Sequence, residues 1–172
     1  MHETGTKLLE SRLPALLEMA PAIRDVGVHR EDLQITIERE KIREVLAFLK
    51  RTRPAFPCLM DLFAVDYAKF RPAQPERFAV IYNLFSIDDK KRVFLKVWVS
   101  ERMPEIDSVY DLFKAANWFE REAFDLYGIH FKGHPNLQRI LCHQEFVGHP
   151  LRKDYPSDKY QRLKTAAPPT GF

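Results

Sequence analysis

Hydrophobic and polar positions follow two periods along this chain, and the switches between them mark its elements. From Lys7 to Met19, the residues Leu8, Leu9, Leu13, Leu16 and Leu17 fall on a helical stripe that Pro21 stops, and Pro14 breaks or delays the helix within that run. The period then shortens to two. Val26 and Val28 alternate with charged and small residues, Leu33, Ile35 and Ile37 with polar ones, and Arg30-Glu31-Asp32 between them reads as a hairpin turn. Helical spacing returns from Glu38 to Arg53, where Ile42, Val45, Leu46 and Leu49 recur until Pro54 ends the run. Three strands come after it, from Cys58 to Tyr67, Phe78 to Phe85 and Val93 to Val99. A proline-containing loop at Phe70 to Glu76 separates the first two, and Asp88-Asp89-Lys90-Lys91 joins the last two.

This order predicts an α+β fold: helix, two strands, helix, three strands, as a two-layer domain with helices on one face of a mixed, mostly antiparallel sheet. A final helix comes next. Ser108 and Asp111 have the spacing of a capping box, Leu112, Ala116, Phe119, Ala123 and Leu126 step along one face, and Gly128 stands where a left-handed residue would end the helix. Beyond it the chain turns irregular, with Gly133-His134-Pro135, Gly148-His149-Pro150, Tyr155-Pro156 and Pro168-Pro169. So long a stretch with few core signals is either disordered or ordered by something else. The expected division is an α+β domain over residues 1–128, final helix included, and an extended partner-binding tail over residues 129–172.

Composition changes this picture little. The chain has 172 residues, 45% hydrophobic and 30% charged, which suits one globular domain. Charge adds more. Seven basic residues from Gly128 onward, Lys132, Arg139, Arg152, Lys153, Lys159, Arg162 and Lys164, face only Glu145, Asp154 and Asp158, so the tail carries about +4 and the rest of the chain about −1. That points to an acidic partner surface. Cys58 and Cys142 have no paired spacing, which fits a reducing compartment. No secretory h-region is visible, and no apolar run approaches the roughly 18 residues needed to span a bilayer, so a membrane link is expected only through another protein.

The densest polar cluster is Asn117 to Asp125. Arg121 and Asp125 are spaced i,i+4 and Glu122 and Asp125 i,i+3, which reads either as a solvated face with weak ion pairs or as a carboxylate pair. No nucleophile or phosphate loop accompanies the carboxylates. His130 and His134, followed by Cys142, His143 and His149, invite a metal reading. Gly133 and Pro135 argue against a helix there, and no CxxC or HExxH is present. His134 and His149 read instead as residues that cap turns or bond backbone carbonyls beside proline. Two distant cysteines do not supply an iron–sulfur thiolate set. The segment Arg92 to Val99 lacks the glycine of an RNA-recognition strand, so no nucleic-acid partner is expected. Gly148 to Pro156 combines prolines that stiffen an extended segment, the planar fork of Arg152, and Leu151 and Tyr155 for burial. It reads as a strap along a partner, the alternative being an ordinary mobile tail.

At these residues the chain resembles a known family. Ala116-Asn-Trp-Phe-Glu-Arg-Glu-Ala-Phe-Asp-Leu-Tyr-Gly-Ile-His-Phe-Lys-Gly-His-Pro-Asn-Leu-Gln-Arg-Ile-Leu141 is similar to the signature of the 30 kDa-subunit family of the proton-pumping NADH:quinone oxidoreductase, respiratory complex I. Gly148 to Pro156 is similar to that family's downstream motif, in the same order. His130 and Lys132 stand where the family varies. The resemblance implies a non-catalytic structural and assembly subunit of the peripheral arm, supporting electron transfer from NADH to quinone coupled to proton translocation. It implies no cofactor bound by this chain, within a complex that carries FMN and iron–sulfur clusters, and no activity of the isolated chain. The partners implied are the quinone-site subunit and the iron–sulfur subunits of the peripheral arm, at the cytoplasmic face of the cell membrane. Carried over residue by residue, Glu120, Arg121, Glu122, Asp125 and Gly128 would order the helix end and the turn after it. Gly133, His134, Pro135 and Arg139 would fix the exit of the chain, and His149, Pro150, Leu151, Arg152, Lys153, Asp154 and Tyr155 would lie against the partner. The alternatives are the equivalent subunit of a membrane-bound hydrogenase or of a ferredoxin- or F420-dependent dehydrogenase and, from another class, an independent soluble enzyme using Glu122, Asp125 and His134.

Overall fold

A computed structural model describes residues 3–159 and 161. Arg162, Lys164, Pro168 and Pro169 of the expected tail lie outside them. Pro14 cannot continue a helical hydrogen-bond ladder, so the first leucine stripe is split into helix α1 (Glu3–Arg12) and 3-10 turns over Pro14–Ala22. Strands β1 (Ile23–His29) and β2 (Asp32–Ile37) form the expected antiparallel hairpin about Arg30-Glu31. Helix α2 (Ile42–Leu49) then buries Ile42, Val45, Leu46 and Leu49, and strands β3 (Cys58–Asp66), β4 (Phe78–Ser86) and β5 (Lys91–Val99) come next.

The five strands form one sheet in the order β1-β2-β5-β4-β3, antiparallel throughout except for the parallel pair β2–β5 at its centre. Strict alternation sets which side chains reach the core. Val93, Leu95, Val97 and Val99 of β5 are fully buried with Val80, Tyr82 and Leu84 of β4, under the helices. Phe94, Lys96 and Trp98 take the opposite face, where the Lys96 ammonium lies against the rings of Tyr67 and Trp98.

The last helix differs from expectation at its start. Strand β6 (Glu105–Asp107) precedes Ser108, turns occupy residues 109–115, and helix α3 runs from Ala116 to Tyr127 with no side-chain cap at its first turn. Ser108 therefore does not open a capping box. Its hydroxyl is claimed from elsewhere, donating to Glu120 Oε2 at 2.6 Å. Gly128 does end the helix, with φ of 73°. The short strand β7 (His130–Lys132) then pairs in parallel with β6, Ile106 opposite Phe131, so the first residues after the helix join residues that precede it.

Candidate functional site

A helix leaves its last four carbonyls without intrahelical donors, and near α3 the irregular segment after residue 132 supplies most of what they lack. Phe124 O accepts from Gly128 N at 2.8 Å, as the left-handed glycine dictates. Asp125 O receives Arg139 Nη1 at 3.1 Å and His149 Nδ1 at 2.9 Å, Leu126 O receives Leu151 N at 3.1 Å, and Tyr127 O receives Arg152 Nε at 2.6 Å. Two guanidinium groups thus sit at the negative end of the helix dipole. Gly128 is required twice over. A Cβ there would lie 2.5 Å from His149 Nε2 and 2.7 Å from Arg152 Nη2, at a φ that L-residues rarely adopt.

The side chain of Asp125 organises the same segment. It is fully buried, and both oxygens are occupied. Oδ1 accepts Arg139 Nη1 at 2.6 Å, and Oδ2 accepts the backbone N–H groups of Ile140, Leu141 and Cys142 at 3.0, 2.8 and 2.9 Å. Burial alone would raise its pKa, but these donors all favour the anion and bring it down to about 2. Arg139 Nη2 continues to Gly148 O at 2.9 Å, so one ion pair ties the helix to both halves of the segment. Glu120, on the same helix and equally buried, behaves oppositely. Burial pushes its pKa up to about 7 even though Ser108 Oγ and Val109 N donate to it. One carboxylate on α3 orders the segment after the helix, and the other orders the turn before it.

A second anchor fastens the strap to the sheet. Asp66, buried at the end of β3, accepts Arg77 Nη2 at 2.9 Å, Ala68 N at 2.9 Å and Lys153 N at 2.8 Å. Arg77 in turn bonds Asp154 at 2.7 Å and also Glu101. The Arg152 guanidinium lies over the ring of Phe78, 5.1 Å from its centre. Tyr155 stacks on Phe146, and a Cβ at Gly148 would meet its ring at 2.9 Å. Asp66 and Arg77 carried no signal in the sequence, because an acidic residue closing a strand and a basic one opening the next read as ordinary strand ends.

The remaining predicted residues divide between the chain's own bonds and its surface. His134 bridges Asn117 O at 3.2 Å and Asn136 N at 3.0 Å, and burial lowers its pKa, so both it and His149 are tied to backbone carbonyls. Arg121 bonds Gln138 O at 3.0 Å and lies over Trp118; its expected i,i+4 partner Asp125 is taken by Arg139. Glu122, Pro135, Lys153 and Asp154 are exposed at the surface, Pro150 is half-buried, and Gly133, with φ of 81°, stands in open space. Among the described residues no group of three His, Cys, Asp or Glu could hold a metal ion. Around the bonded scaffold stand apolar side chains facing solvent: Trp118, Leu141, Val147 and Leu151, at 60, 62, 66 and 46% exposure. Large apolar groups on a rigid polar frame form a surface suited to contact rather than to chemistry.

Comparison with known proteins agrees with the family resemblance. The profile of the family described as the respiratory-chain NADH dehydrogenase 30 Kd subunit matches residues 35–161, running from within β2 through β3 to β5, α3 and the strap. The chain belongs to this family. Among its relatives are an NADH-quinone oxidoreductase subunit of Geobacter metallireducens, 44% identical over 91% of both chains, and a probable mitochondrial NADH-ubiquinone oxidoreductase 30.4 kDa subunit of Candida maltosa. The latter is 39% identical over 95% of this chain, which spans 55% of that relative's length. A trypsin-resistant fragment of Nqo5 superposes with a TM-score of 0.63 at 35% identity, covering 73% of this chain and 99% of the fragment. A chain of the membrane-bound sulfane sulfur reductase, an archaeal respiratory membrane complex, shares the fold at 24% identity and a TM-score of 0.71, covering 96% of this chain and 99% of that one. For this family member, the two motif blocks legible in the sequence are the helix with its polar anchor and the strap that caps it.

Proposed function

We propose that this chain is the non-catalytic 30 kDa-type subunit in the peripheral arm of an NADH:quinone oxidoreductase, and that its C-terminal block holds neighbouring subunits. The observation that carries the reading is the pairing of a rigid polar scaffold with outward apolar groups. Asp125, Arg139, His149 and Arg152 are spent within the chain, while Trp118, Leu141, Val147 and Leu151 point outward. In this reading the strap is ordered first by its own helix and then presents these side chains to the quinone-site subunit and the iron–sulfur subunits. FMN, clusters and quinone belong to those partners, and electrons pass from NADH to quinone outside this chain. In this reading the subunit is held through the complex at the cytoplasmic face of the cell membrane; none of the described helices is long and apolar enough to cross a membrane.

The names of the curated relatives support NADH as donor over a hydrogenase-type or ferredoxin-linked assembly. The independent-enzyme reading loses its parts. Asp125 has no free oxygen, His134 is tied to backbone at both nitrogens, and Glu122 stands exposed, so no acid–base pair remains. Affinity purification of the tagged full chain from its host tests the reading. The expected result is co-purification with a quinone-site subunit and cluster subunits, while the chain expressed alone is colourless and inert. A Trp118→Glu/Leu141→Glu variant should fold normally yet lose its partners. Stoichiometric cofactor absorbance in the isolated chain, or undiminished co-purification of that variant, would overturn it.

A further inference from the structure

A groove lies at the end of the sheet remote from α3's cap. Because β2 and β5 are parallel neighbours, with Leu33 opposite Val93, their starting ends lie side by side. The turns that feed them, Arg30-Glu31 and Ile87 to Lys90, therefore share one end of the sheet, and the end of α1 reaches it too: Arg12 Nη1 donates to Glu31 O at 2.7 Å. Between these elements runs a groove of about 370 Å³. Its base is apolar and closed by Leu13, Leu33, Phe56 and Val93, all at most 5% exposed. Its rim carries Arg12, Lys90, Lys91 and Arg92 against the two carboxylates Glu31 and Asp32. None of those four cations forms an ion pair with a carboxylate among the described residues.

The backbone adds an independent observation. Arg30 and Lys90 are the two non-glycine residues of the described chain with positive φ, 57° and 52°, and both stand in the turns at this end. Glycine or asparagine would hold that conformation at less cost, so both turns place a cation where one is uncommon, Lys90 on the groove's rim. An excess of unpaired positive charge around an apolar floor is complementary to an extended segment whose carboxylates flank an apolar side chain.

We propose that this groove receives an acidic, partly apolar segment of a neighbouring subunit, a second contact separate from the strap; the inference rests on the assembly reading above. The chain would then be gripped at two ends, by apolar burial at α3 and by charge at the β2–β5 end. The charge contact is the one that weakens as salt rises.

The test is zero-length carbodiimide cross-linking of the purified assembly, followed by mass spectrometry, since this reagent joins only an amine and a carboxylate in direct contact. The expected products are amide links from Lys90 or Lys91 to Asp or Glu of another subunit. Their yield should fall roughly tenfold in Arg12→Glu/Arg92→Glu, which leaves both lysines in place. Arg92→Glu alone, which keeps the Arg12 bond to Glu31, should show a smaller fall in the same direction and guards against misfolding of the double variant. Links confined to this chain, or a yield unchanged in both variants, overturn the proposal while co-purification leaves the assembly reading standing. Failure to co-purify removes both. Binding of the full chain to phosphatidylglycerol vesicles but not phosphatidylcholine vesicles, abolished by Lys90→Glu/Lys91→Glu and without intersubunit links, assigns the groove to a lipid surface and overturns the protein partner.

Discussion

The layer of sheet and helices and the segment after Phe131 are ordered by different physics. In the first, apolar side chains alternate into a common core, from Leu9 in α1 to Val99 in β5. In the second, no described residue is buried, yet its course is fixed by the carbonyls at the end of α3 and by two buried carboxylates, Asp125 and Asp66. An apolar core tolerates exchanges that conserve volume, whereas a buried acceptor satisfied by four donors tolerates almost none. The contrast also explains the surface. A segment that need not bury its own apolar groups is free to present them to a partner.

Substitutions that spare one region and strike the other should break the comparison most sharply. Asp125→Ala leaves Arg139 and three backbone N–H groups without their acceptor, and should cost about 3–5 kcal/mol in chemical denaturation. Leu95→Ala in the core should cost about 2–5 kcal/mol, but with uniform loosening rather than selective release of residues 139–155. Acidity separates the two carboxylates of α3. Glu120 has a folded-state pKa of about 7, above its ordinary 4.5, so its contribution is full below pH 4.5 and is lost as pH rises towards 7, by at most about 3 kcal/mol. Asp125, at about 2 against 3.8, contributes above pH 3.8 and loses that contribution as pH falls towards 2. Denaturation midpoints of Glu120→Gln measured from pH 4 to 8 should therefore lack the wild-type decline. Gly128→Ala forces a methyl group against His149 and Arg152 at positive φ and should cost about 2 kcal/mol, read as a lowered Tm. Trp118→Ala, at the exposed face, should change stability by about 0.5 kcal/mol or less while weakening assembly.

The first region was legible because its signal is periodic. Leucine, isoleucine and valine spacing placed the β1–β2 hairpin, α2 and β3 to β5 within a few residues, and Gly128 marked the end of α3; the first helix ends at Arg12, ahead of Pro14, instead of running on to Met19, and Pro21 lies inside the 3-10 turns. The features that were not legible depend on contacts between distant positions. Ser108 has the local spacing of a helix cap, but Glu120 claims its hydroxyl from twelve residues away. Strands β6 and β7 are three residues each, too short for alternation to declare them. Glu120 did carry a usable signal, falling between Ala116 and Ala123 on the apolar stripe, where a carboxylate must be buried. Asp125 did not, since its donors lie at Arg139 to Cys142 in a segment with no period at all. The motif named the helix-end and strap residues of the candidate site but not Asp66 and Arg77, and the direction of the bonds, into the chain's own helix and sheet, came only from the geometry.

Hydrogen–deuterium exchange on the isolated full chain tests the central claim most directly. If the strap is ordered by α3 itself, the amides of Ile140, Leu141, Cys142 and Leu151 are protected without any partner, and Asp125→Asn releases the first three. If those amides exchange at the rate of an unstructured chain and slow only within the assembly, the partner orders the strap, and the account is wrong.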